Sequence, residues 1–198
     1  MKNSVGLAFL IACGVVLFAA PARAGVPDPV NSIADTCLIL APAGNFAYSA
    51  TLRDESFAPI ADVDVTLDFG PAPGIVLCSA SDPDLDRRVV ARSNSLGEVS
   101  FHVGAGGQTA GYVVLAAVGG TIRILHPRTT DLNGDLQITS ADVSAHSALP
   151  ANSRLGDYDC DGDSDAVDRA LITAELGQNC STVPVLPSTW GRLKDVYR

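Results

Sequence analysis

The sequence is short of positive charge. Thirteen lysines and arginines stand against 22 aspartates and glutamates in 198 residues, a formal net charge of −9. So acidic a chain is repelled by phosphate backbones and by anionic lipid surfaces, which argues against nucleic acid and charged membranes as partners. Long apolar runs are also scarce. One occupies residues 5–20, behind Lys2 and ahead of Ala22-Arg23-Ala24. It falls short of the roughly 20 residues a membrane span needs. A positive start, a short apolar run and a small-x-small site make a secretory leader, 1–24, cleaved after Ala24. Nothing later is long and apolar enough to insert in a bilayer, so the product is expected to be secreted or held at the cell surface. Catalytic signatures are missing as well: no glycine-rich phosphate loop, zinc-ligand spacing or nucleophile elbow occurs. His102 points outward from a strand, His126 ends one, and His146 lies one turn after Asp142. No catalytic residue is expected, and the chain reads as a non-enzyme.

Cysteine is sparse but even in number. Of five, Cys13 belongs to the leader, leaving Cys37, Cys78, Cys160 and Cys180. Four cysteines in an exported chain suggest two disulfides, with three possible pairings. Cys37–Cys78 and Cys160–Cys180 keep each bridge within one half of the chain. The second pairing requires the chain to fold back after a helix, because the bridged Cα atoms must lie within about 7 Å.

What is present divides near residue 128. After an N-terminal segment, 25–35, the pattern over 36–128 is one of strands. In "ADVDVTLDF", Val63, Val65, Leu67 and Phe69 alternate with Asp62, Asp64, Thr66 and Asp68. Tyr48, Ala50 and Leu52 repeat the alternation, as do Val99, Phe101 and Val103. Period two means strands with one buried face. "GYVVLAAV" and "TIRILH" form a hairpin through Gly119-Gly120. With "TCLIL" and "GIVLCS", roughly seven short strands predict an antiparallel β-sandwich.

Arg53, Asp54, Pro59, Gly97, Val99 and Phe101 carry a resemblance to bacterial immunoglobulin-like domains of the invasin/intimin type. It covers roughly residues 36–126. It implies a spacer, stalk or adhesive module, and fold alone gives no activity.

Past Arg128 the chemistry changes. "DLNGDLQITSAD" (131–142) and "DYDCDGDSDAVD" (157–168) are two copies of one pattern, 26 residues apart. Counting each from one to twelve, positions 1, 3, 5 and 12 are Asp131, Asn133, Asp135 and Asp142, then Asp157, Asp159, Asp161 and Asp168. Position 7, Gln137 or Asp163, would offer a backbone carbonyl. Mutually repelling carboxylates at this spacing suit a hard cation that takes six to eight oxygens, namely calcium, with two ions expected. Gly162 stands at position 6, where the loop turns sharply; the first copy has Leu136 there and Gly134 nearby. Each loop runs into a short helix. Ala141, Ala145, Ala148 and Leu149 are expected along one side of the first helix, which Pro150 ends. Val167, Ala170, Leu171 and Ala174 stripe the second.

Aspartate at position 12, and the lack of a long helix before either loop, depart from the EF-hand. The pair resembles dockerin, over about residues 129–181. The resemblance implies a small, mainly α calcium-binding domain that docks onto cohesin modules in polysaccharide-degrading assemblies. It implies partner contacts at loop positions 10 and 11: Ser140 and Ala141, then Ala166 and Val167. The short "HPRTT" predicts a rigid join between the halves.

The expected architecture is thus multidomain: an all-β immunoglobulin-like sandwich, then a mainly α dockerin-like domain with two calcium loop-helix motifs. The expected function is a secreted, non-catalytic calcium-binding protein that docks onto a cohesin-like partner. A calcium-stabilised structural or adhesive surface protein is the alternative, and an accessory subunit of a glycoside hydrolase system a remoter one. Nothing in the sequence points to a glycan. The last segment, 182–198, reads as a proline-containing linker and a basic, aromatic tail with Trp190, Leu193 and Tyr197 on one face of a short helix.

Overall fold

The computed structural model describes residues 25–180. The leader and the tail carrying Trp190, Leu193 and Tyr197 lie outside the described residues. Within them the chain is mostly β. The strands are β1 (Ile33–Ala34), β2 (Ile39–Leu40), β3 (Ala47–Thr51), β4 (Asp64–Asp68), β5 (Ile75–Leu77), β6 (Arg88–Arg92), β7 (Glu98–His102), β8 (Ala105–Gly107), β9 (Val113–Ala117), β10 (Gly120–Leu125) and β11 (Arg128–Thr129). Two short helices follow, α1 (Ser140–Ser147) and α2 (Ala166–Ala174). The segment after Thr129 is therefore mostly loop rather than mainly helical.

Two antiparallel sheets, ordered β1-β3-β7 and β10-β9-β4-β6, share one apolar core. Their alternation produces it. Tyr48, Ala50, Val99 and Phe101 face in from the first sheet, and Val65, Leu67, Val113, Leu115 and Ala117 from the second. Two smaller pairs, β5-β8 and β11-β2, complete the β part. The residues behind the bacterial-domain resemblance shape its turns. Asp54 Oδ1 accepts from the Ser56 and Ala58 amides. Gly97, at φ +77°, packs so closely that an added Cβ would lie 2.4 Å from the Leu52 carbonyl oxygen.

The structure departs from the sequence pattern at several places. The described strands number more than the roughly seven expected. β1 comes from the N-terminal segment, 25–35, and pairs with β3. β6 is a half-buried edge strand whose Arg88 and Arg92 face Asp68 and Asp64, so it lacks a clean apolar face. β8 is Ala-Gly-Gly, which carries no alternation. β11 pairs in parallel with β2, against the antiparallel expectation, and continues the fold past residue 128. The β9–β10 turn is centred on Val118 and Gly119, at φ +51° and +76°, one residue earlier than expected. Two positive φ values match a primed hairpin turn, and a valine there is strained.

The disulfides correct the expected pairing. Cys37 bonds Cys160 and Cys78 bonds Cys180, instead of Cys37–Cys78 and Cys160–Cys180. Both bridges tie the β part to the loop-helix segment. The chain does fold back after α2, as the geometry required. It pairs there with the first loop: the Gly177 amide donates to the Ile138 carbonyl, and the Ile138 amide to the Gln178 carbonyl. That course carries Cys180 to Cys78. Two disulfides suit folding in an oxidising compartment. Among the described residues no helix is long and apolar enough to cross a membrane.

The helices present a different face from the one expected. Ala141, Ala145 and Ala148 are exposed, as are Val167, Ala170 and Ala174. The inward residues are Asp142 and His146 on α1, and Asp168 and Ile172 on α2. Position 12 must turn its carboxylate back into the loop, so the residue one turn later points inward and the alanine rows point out. A second apolar cluster joins Ile138, Tyr158 and Ile172, with Ile39 of β2 packed against it.

Candidate metal centre

The two loops share a backbone path as well as a spacing. φ is positive at positions 4 and 6 in both: Gly134 and Leu136 in the first, Cys160 and Gly162 in the second. Each copy therefore has glycine at one left-handed position and a side chain at the other. Left-handed backbone costs a side-chain-bearing residue about 1–2 kcal/mol. Cys160 is anchored there by its bridge to Cys37.

The hydrogen bonds also repeat. Position 12 is buried in each loop and collects backbone donors. Asp142 Oδ1 accepts from the Leu132 and Asn133 amides, and Asp168 Oδ1 from those of Tyr158 and Asp159. The second oxygen of each caps its helix, accepting from the Thr139 or Asp165 amide. Thr139 and Asp165, at position 9, complete a capping box with position 12. Each position-12 carboxylate thus ties the start of its loop to the start of its helix. Positions 3 and 5 repeat as well: Asn133 accepts from the Asp135 amide, and Asp159 from that of Asp161.

Position 1 is where the loops differ. Asp157 Oδ2 accepts from the Gly162 amide at 3.2 Å and lies 2.9 Å from Arg128 Nη1. Its Oδ1 is buried and has no hydrogen-bond partner. An unpaired oxygen on a buried carboxylate is costly unless a donor or cation meets it. Asp157, Asp159 and Asp161 place one carboxylate oxygen each within 4.8 Å of one another, and Asp163, Asp165 and Asp168 do the same. Asp131 is instead satisfied on both oxygens, by the Gly134 and Leu136 amides at 2.8 Å. Asn133 Nδ2 donates to Asp135 Oδ2, closing the first loop further.

Crowding shows in the proton affinities. Burial, then the charges of Asp142 and Asp135, push Asp131 above the usual carboxylate range, against the amides of Leu136 and Gly134. Asp159 is raised by desolvation and by Asp161, Asp168 and Asp157. Asp163 is raised first by the charge of Asp161, then by desolvation and by Asp165, Asp168 and Asp159. Asp159 and Asp163 are exposed, so for them the neighbouring charges are the physically weightier cause.

No family model, curated protein or solved structure matches the chain. The reading of the centre therefore rests on its own geometry.

The second loop's residues fit a hard cation. They gather several carboxylates, one of them with a buried oxygen that lacks a donor, and could hold a metal ion. The first loop offers fewer carboxylates and holds them in internal hydrogen bonds, so the fit there is weaker. Gln137 and Asp163, at position 7, are exposed, and their amides donate to Asp135 and Asp161. Ser140, Ala141, Ala166 and Val167 all lie on the surface at the helix starts. Asp165, absent from the expected ligands, had a sequence signal, since it is the acidic residue at position 9. Arg128 had none: it precedes the first loop and reaches into the second.

Proposed function

We propose that the chain is a calcium-binding docking protein, with an immunoglobulin-like β part and a dockerin-like pair of loops. The observation that carries the calcium reading is the buried, unpartnered Asp157 Oδ1 within the carboxylate group of the second loop. Asp157, Asp159, Asp161 and Asp168 would hold the ion there, with Asp163 and Asp165 beside them. Asp131, Asn133, Asp135 and Asp142 would hold a second. The ion supplies positive charge that offsets carboxylate repulsion, and its binding is coupled to order in the loops. The docking reading is supported by the helix starts. Ser140, Ala141, Ala166 and Val167 are exposed next to the loops, so calcium-dependent order would extend to the surface they form.

The test is binding to immobilised cohesin modules with and without EDTA. Calcium-dependent capture that Val167→Asp abolishes supports docking. Calcium binding without capture leaves the second reading, a calcium-stabilised structural or adhesive protein. That reading is favoured by the two bridges and by Arg128, which tie the loops to the β part.

A further inference from the structure

Both position-1 aspartates are buried, but they meet different partners. Asp131 packs against β8, where a Cβ on Gly106 would lie 2.0 Å from its Oδ2, and it is satisfied by amides alone. Asp157 is met by a whole cation. Arg128, on β11, is held in register by its amide donating to the Leu38 carbonyl. Its side chain is 14% exposed, and Nη1 donates to the Asp157 backbone carbonyl as well as pairing with the carboxylate. The carboxylate is thereby divided: Oδ2 is engaged by Arg128 and Gly162, and Oδ1 is left open.

We infer that Arg128 is a positioning residue that sets the calcium affinity of the second loop, an inference that rests on the calcium reading above. It acts in two opposed ways. It fixes the Asp157 rotamer with Oδ1 free, which favours the ion. It also places a positive charge one carboxylate away from a divalent cation, which opposes it. Fixing one short side chain is worth a few-fold in affinity. Repulsion between a guanidinium and a divalent ion across one carboxylate, in a partly buried site, is worth more. Arg128 therefore stabilises the metal-free loop and weakens calcium binding. The β part thus regulates the metal site by holding a competing cation against it.

The experiment uses the mature, disulfide-bonded protein as wild type, Arg128→Met and Arg128→Lys. Calcium chloride titrations and metal-free thermal unfolding are both read, at low and high salt. Arg128→Met is expected to tighten the second site about tenfold at low salt, with a smaller gain at high salt. It is also expected to lower the metal-free melting temperature. Arg128→Lys keeps the charge and should leave affinity within about threefold of wild type, giving a readout should the methionine variant not fold. A purely structural role predicts weaker calcium binding and lower stability together, and that result overturns the inference. So does an Arg128→Met affinity equal to wild type, or an Arg128→Lys affinity that shifts tenfold. If wild type binds no calcium at the second loop, the calcium reading fails, and the inference fails with it.

Discussion

His146 and Ser164 meet across the two halves of the repeat, Nε2 lying 3.3 Å from Oγ. Their counterparts 26 residues away are Ile172 and Ile138, which pack in one apolar cluster. One symmetry-related contact is therefore polar and the other apolar. The polar one is incompletely satisfied. His146 Nε2 also lies 3.0 Å from the Gly156 carbonyl oxygen, yet its Nδ1 is buried without a partner. Replacing His146 alone should leave the Ser164 hydroxyl without this partner, costing about 1–3 kcal/mol. Replacing both, as His146→Ile with Ser164→Val, should recover most of that loss. A double-mutant cycle by chemical denaturation measures the coupling, and strict additivity would contradict it.

The Cys37–Cys160 bridge should bear on calcium more than Cys78–Cys180 does. Cys160 stands between Asp159 and Asp161 at a left-handed position, whereas Cys180 lies beyond α2. The bridges span sequence separations of 123 and 102, for which the chain-entropy account gives about 5 kcal/mol each. Replacing either pair by serine should therefore lower stability comparably. Replacing Cys37 and Cys160 should in addition weaken second-site calcium binding several-fold. Equal calcium affinities in the two double variants would refute the distinction, and non-reducing peptide mapping checks the pairing itself.

Gly162 and Gly134 invite a comparison of strain with crowding. Nothing lies within 4 Å of a Cβ at Gly162, so Gly162→Ala is opposed by backbone strain alone, at φ +108°. At Gly134 the same change adds a close approach of 3.3 Å to Gly107 Cα. Both substitutions should lower the thermal unfolding temperature, and a neutral effect at either would argue against the shared loop geometry.

How far the sequence revealed this arrangement depended on the range of the interaction. Alternation in Val65, Leu67 and Phe69 reports burial directly, so the main strands were legible. So was the loop repeat, because ligand spacing and capping are local properties. Other features arise from tertiary packing. Gly106 and Gly107 form a strand because the first loop presses on them, and Arg128 meets Asp157 across 29 residues. The cysteine pairing is also set by tertiary packing. Proximity in sequence favoured bridges within each half, whereas the fold-back after α2 sets them between halves. The alanine rows do not mark the buried side of the helices, since the position-12 carboxylates decide which side faces in.

Acidity should affect the metal-free and calcium-loaded protein in opposite directions. Asp131, Asp159 and Asp163 are raised above 3.8, so the folded chain holds their protons more tightly than the unfolded one does. Their contribution to stability is full below 3.8 and is lost as pH rises through the raised values. Decalcified protein should therefore gain stability from these groups as pH falls through the carboxylate range. Saturating calcium requires ionised ligands, so the loaded protein should lose stability over the same interval. Melting temperatures against pH in the two states test the crossing, and parallel curves would contradict it.

Calorimetric titration of decalcified, disulfide-bonded protein with calcium tests the central claim most directly. The account predicts two sites with dissociation constants between about 10⁻⁷ and 10⁻³ M. The tighter site should be abolished by Asp159→Ala with Asp161→Ala, and the weaker one by Asp135→Ala. Titrations without binding heat, accompanied by a melting temperature that calcium leaves unchanged, would contradict it.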